Sequence, residues 1–112
     1  MIISKELLSE VLGHNQIDNI ELLYDDTILE FTYIDDNQEI GDDINIYELA
    51  HRCKEWALAS HIRLWSVKDD NNSAICRINS REKEEFYAYT EAEAIFEACQ
   101  WIYDKEQKSK RI

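Results

Sequence analysis

The spacing of apolar residues switches back and forth between a helical and an extended period, and this pattern limits the open folds more than any other feature. Leu7, Leu8, Val11 and Leu12 repeat at helical spacing. Ser4 is placed to cap that helix, over about residues 5–12, and Gly13 to end it. From Ile17 to Ile34 the pattern alternates, first through Ile20, Leu22 and Tyr24, then through Leu29, Phe31 and Tyr33. Asp25, Asp26 and Thr27 lie between the two runs, which predicts an antiparallel hairpin. A second turn at 35–38 leads to a short strand near Glu39 and Ile40.

Helical spacing returns over about 46–60. Leu49, Ala50, Cys53, Trp56, Ala57 and Ser60 mark one face, and Glu48, Arg52 and Glu55 the other. Asn45 is the expected cap. Residues 61–67 then alternate Ile62, Leu64 and Ser66 against Arg63, Trp65 and Val67. Residues 69–72 read as a hairpin turn. Ala74–Ile78 and Phe86–Tyr89 read as strands separated by a charged stretch at 81–85. Thr90 and Glu93 fit a capping box. Ala92, Ile95, Cys99 and Ile102 form the buried stripe of the helix that follows. The basic tail 105–112 is expected to fray.

The predicted order is α-β-β-(β)-α-β-β-β-α. Short links imply an antiparallel sheet. The expectation is one α+β domain over residues 1–112. Its mostly antiparallel sheet has four to five strands, with two longer helices and one short N-terminal helix packed on it. With no Pro and only Gly13 and Gly41, the sequence holds no flexible linker. No apolar run approaches the roughly 20 residues that span a bilayer. Lys5, Glu6 and Glu10 argue against a secretory signal. The odd count of three cysteines, Cys53, Cys76 and Cys99, reads as buried reduced thiols. These features together point to a cytoplasmic protein with no membrane partner.

Charge is segregated along the chain. Thirteen of the 24 acids lie in residues 1–51, where Lys5 is the only Lys or Arg. The other half holds 11 acids and 11 bases, so the whole net charge of −12 belongs to the first. Such a field repels phosphate backbones and attracts basic surfaces, so no direct nucleic-acid binding is expected.

Motifs for catalysis or metal binding are deficient. Glu48 and His51 have the helical Glu-x-x-His spacing but no second copy. His51, Cys53, His61 and Cys76 match no compact zinc spacing. Residues 35–46 superficially resemble a calcium loop, yet Ile40 and Ile46 stand where Gly and Glu are required. Cys53 and Cys99 lie on apolar stripes, where a thiol is not activated. The chain is therefore read as a non-enzyme without cofactor or metal.

Two surface features remain. Asp25, Asp26, Glu30, Asp35, Asp36, Glu39, Asp42 and Asp43 form an acidic block on a hairpin and its turns, with the Asp42-Asp43 pair expected in the loop before the second helix. Carboxylates fixed on a scaffold can imitate a phosphate array and speed encounter with a basic partner. Trp65, beside Arg63, and Tyr87 and Tyr89 point away from the apolar strand faces. They form a candidate aromatic contact surface, the alternative being that the faces are reversed and these rings belong to the core.

The stretches INIYELAHRCKEWALAS and TEAEAIFEACQWIYDKE resemble segments of short uncharacterised phage and prophage proteins. They cover less than a third of the chain. The resemblance implies a host-defence inhibitor, of the class that includes anti-CRISPR proteins and DNA mimics. The leading expectation is an inhibitor of a basic, nucleic-acid-handling host protein, acting through the acidic half. The alternative is a homo-oligomer, such as a homodimer, formed through the aromatic face.

Overall fold

The computed structural model describes residues 3–68, 73–79 and 84–110. The elements follow the predicted order. They are α1 (Lys5–Leu12), β1 (Asn15–Leu23), β2 (Ile28–Asp35), β3 (Gln38–Asn45), α2 (Ile46–Ala59), β4 (Arg63–Lys68), β5 (Ala74–Asn79), β6 (Glu85–Ala88) and α3 (Glu91–Lys110). The expected turn at 69–72 and residues 81–83 of the charged stretch 81–85 lie outside the described residues.

The helix starts are set by their caps. The Leu7 N–H donates to Ser4 Oγ at 3.2 Å, Tyr47 N–H to Asn45 Oδ1 at 2.8 Å, and Glu93 N–H to Thr90 Oγ1 at 3.1 Å. Each satisfies one of the free donors of a first turn. Gly13 ends α1 with φ at 73°, a left-handed conformation that Gly adopts without steric cost. The helix α3 continues through Lys110, so the segment expected to fray from 105 is helical as far as that residue.

The single sheet of four to five strands is not what forms. The α+β domain holds two antiparallel sheets of three strands each, β1-β2-β3 and β4-β5-β6. Each is a meander whose strands pair with their sequence neighbours. Between them the 14 residues of α2 carry the chain about 21 Å, so β4 starts a new sheet instead of extending β3. The "short strand" near Glu39 is also longer than expected. β3 is eight residues and pairs with β2 along its whole length, from Ile28↔Asn45 to Asp35↔Gln38. The pair Asp42-Asp43 therefore lies inside a strand and not in a loop.

The helices are divided between the sheets. α1 packs on β1, α2 touches β3, β4 and α3, and α3 covers all three strands of the second sheet. The core joins them through Leu7, Leu8, Leu29, Leu49, Cys53, Cys76, Cys99 and Ile102, all less than 2% exposed or fully buried. A shortest dimension of 19 Å against 42 and 40 Å fits one helix layer on one sheet layer. Each sheet keeps one uncovered face.

The edges of the first sheet are blunted. Two register shifts break β1 between Asn15 and Glu21, with Gln16 and Asn19 at positive φ. The β3 edge carries Glu39, Asp42 and Asp43. Bulges and charge are the usual protections of a strand edge against adding another strand.

Candidate functional site

The uncovered face of the first sheet is acidic. In β1 to β3 and their turns, residues 15–45, the sequence has ten Asp or Glu and no Lys or Arg. On the inner face Leu29, Phe31 and Ile44 are buried. The intervening residues turn outward. Glu30 pairs in register with Glu21 on one side and with Asp43 on the other, so three exposed carboxylates lie abreast across the sheet. Next in line, Thr32 lies opposite Gly41, and the missing side chain leaves a shallow depression beside the row. Directly opposed like charges destabilise a strand pair.

The expected acidic residues do not form one patch. Asp25 and Asp26 occupy the β1–β2 turn, at the end of the sheet nearest Glu30 and Asp43. Asp35, Asp36 and Glu39 lie at the opposite end, around the β2–β3 turn. Asp42 lies opposite Phe31, on the inward side of β3 but exposed at its edge. Glu21 is a member of the row that sequence reasoning missed. The alternation of Ile20 and Leu22 carried the signal, because it turns Glu21 to the other face.

Lys5, the lone base of this half, is 3.2 Å from Asp18, on β1. Asp18 is held below the usual carboxylate range by the Asn19 N–H first and by Lys5 second.

The uncovered face of the second sheet is aromatic. Trp65 is 53% exposed and Tyr87 59%, whereas Tyr89, 81% exposed, follows the end of β6 and is not part of the strand where it was expected. Leu64, Cys76 and Ile78 point the other way, toward α3. Register aligns Trp65 with Arg77 and Arg77 with Glu85, and a second row aligns Val67, Ile75 and Tyr87. The Arg77 guanidinium lies 5.4 Å from the centre of the Trp65 ring, and its Nε is 3.0 Å from a Glu85 oxygen. The other Glu85 oxygen accepts from the Tyr87 hydroxyl at 2.6 Å, which raises the tyrosine pKa. Arg77 and Glu85 thus neutralise each other, while Arg63, on the same side as Trp65, adds a positive charge beside them. Arg77 and Ile75 had no signal in the sequence, since only register brings them beside Trp65.

The polar and thiol groups weighed for catalysis or metal binding are dispersed or buried. His51 Nε2 is 2.6 Å from Glu55 on the exposed side of α2. The three cysteines are free and buried. The Cys99 thiol donates to the Cys53 carbonyl at 3.5 Å. Its pKa is raised, by hydrogen bonding with Cys53 first and burial second. Burial pushes the Cys76 thiol up to about 11. Among the described residues no three His, Cys, Asp or Glu converge to hold a metal ion, and no helix is long and apolar enough to cross a membrane.

No protein-family model, curated protein or solved structure matches the chain.

Proposed function

We propose that this chain is a non-catalytic binding protein that docks the outer face of β1-β2-β3 on a basic, nucleic-acid-handling protein and blocks it. The observation that carries the reading is the row Glu21–Glu30–Asp43. Three carboxylates in register cost the sheet stability, and no base on these strands relieves them. A basic partner supplies the missing countercharge. The rigid strands hold the charges at fixed spacing, as an imitation of a phosphate array requires, and the field raises the association rate. The resemblance of two helical segments to phage proteins makes an anti-CRISPR inhibitor the most specific form of the proposal. Such a protein works in the cytoplasm and needs neither cofactor nor direct contact with nucleic acid.

The test compares two baits in host lysate, the parental chain and Glu30→Lys/Asp43→Lys. Nucleic-acid-binding proteins should be captured by the first and lost from the second. Duplex DNA should compete for the captured partner, and association should slow steeply with salt. Identical captures from both baits would remove the acidic face from consideration.

A second reading is self-association through the outer face of β4-β5-β6. The exposed Trp65, Val67 and Tyr87 favour it, beside the Arg77–Glu85 ion pair. A dimer made there keeps the two acidic halves apart. Sedimentation of the parental chain and of Trp65→Ser/Tyr87→Ser at low and high salt separates the readings. An apolar dimer persists in high salt and is lost in the double variant.

A further inference from the structure

Where the first hairpin meets the starts of α2 and α3, the fold encloses a cavity of about 190 Å3. Its floor is apolar. Leu29 and Leu49 are fully buried there, Ile46 and Phe96 nearly so, and Leu22 is half-buried. Its rim is acidic. Asp25 and Asp26 stand on the β1–β2 turn and Glu93 on the first turn of α3. No Lys, Arg or His is among the described residues that line it.

Two helix N-termini also border the cavity, with Tyr47 at the start of α2 and Thr90 capping α3. Each carries about half a positive charge. Together they amount to about one positive charge against three carboxylates, so the field at the rim attracts cations. One N–H of each first turn, that of Tyr47 and that of Glu93, is already taken by its cap, Asn45 and Thr90. The rim is also anchored: the Ile46 N–H donates to the Thr27 carbonyl at 2.9 Å and ties the acidic turn to α2.

Size narrows the occupant. Pockets for drug-sized ligands start at about 300 Å3, whereas a cavity of about 150 Å3 takes a benzene-sized group. The cavity suits one side chain with an apolar stem and a cationic head. Lysine fits better than arginine. Its four-carbon stem lies along the apolar floor, and its ammonium is a compact charge with three donors. Arginine's planar fork favours bidentate pairing with one carboxylate, while the rim offers carboxylates from three separate residues.

We propose that the cavity receives a lysine side chain of the basic partner, with the ammonium held by Asp25, Asp26 and Glu93. This rests on the reading of the chain as a binder of a basic protein, and it names the group that anchors the contact. The cavity and the carboxylate row lie toward the same end of the first sheet but on opposite faces, so a partner that engages both reaches around the β1–β2 turn.

The test is a titration of the full chain with n-butylammonium, the lysine side chain in isolation, followed through methyl NMR signals. Butanol, butyrate and n-butylguanidinium are the comparators. The methyls of Leu22, Leu29, Ile46 and Leu49 should shift saturably with butylammonium. Butanol should bind about tenfold more weakly, because three partly screened carboxylates each contribute modestly. Butyrate should not bind. In Asp25→Asn/Asp26→Asn/Glu93→Gln the tenfold preference should vanish. Asn suits the left-handed backbone of the turn, where φ is 55° and 62°, so the variant should keep the parental fold. Still methyls, equal binding of butanol, or tighter binding of the guanidinium would each overturn the lysine assignment. None of these results bears on the sheet face, which the charge-reversed bait tests separately.

Discussion

Glu30 on β2 lies directly opposite Asp43 on β3, and both side chains are exposed on the uncovered face of the first sheet. Directly opposed like charges cost a strand pair a few tenths of a kcal/mol to about 1 kcal/mol. Replacing Glu30 with Gln removes its repulsion with Asp43 and with Glu21. The variant should be more stable by about 0.5 kcal/mol, read as a higher urea midpoint at low salt. The gain should shrink as salt screens the parental repulsion. A lower midpoint would mean that Glu30 has a stabilising contact.

Thr90→Ala should destabilise the protein by about 1 kcal/mol. The Thr90 hydroxyl oxygen accepts from the Glu93 N–H, and alanine leaves that donor to water. Urea denaturation followed by circular dichroism checks the shift. Thr90→Ser, which keeps the oxygen, should restore most of the loss.

The two glycines should respond with opposite signs to the same change. Gly13 has a φ of 73° at the end of α1, so Gly13→Ala should cost about 1 kcal/mol. Gly41 lies in β3 outside the left-handed region, and an added Cβ there meets nothing within 4 Å. Gly41→Ala should be neutral or stabilise by a few tenths of a kcal/mol, through a less flexible unfolded chain. Thermal melts of the two variants decide this.

Alkali should destabilise the fold through its thiols. The Cys76 thiol is raised from about 9 to about 11 by burial. Below pH 9 the group is protonated in both states and its contribution is intact. Between about pH 9 and 11 the unfolded chain loses the proton while the native protein keeps it, so stability falls by up to about 2 kcal/mol. Cys99, raised in the same direction, adds to the fall. Urea midpoints at pH 8, 9.5 and 10.5 should drop progressively, and Cys76→Ala should flatten part of the slope.

Local patterns foretold the order of elements because their causes are local. Ser4, Asn45 and Thr90 cap the helices they were expected to cap. Alternation in 62–67 sent Leu64 inward and Trp65 outward, since side chains in a strand alternate faces. Tyr24 shows the limit of the same rule. It continues the alternation of Ile20 and Leu22 in sequence, yet it belongs to the turn, with φ at 53°, and is 77% exposed. The conformation of a tight turn overrides the period at its edges.

Local patterns set the kind and order of the elements, the cap residues, the inward face of most strands and the concentration of charge in the first half. All of these depend on residues a few positions apart. Tertiary structure alone decided that β3 and β4 belong to different sheets, that Asp42 and Asp43 extend a strand, that Glu21, Glu30 and Asp43 stand abreast, and that Asp25, Asp26 and Glu93 ring one cavity. Those relations join residues separated by 9 to 68 positions. They depend on strand register and helix packing, which the summed burial of the whole core selects and which no local window of sequence encodes.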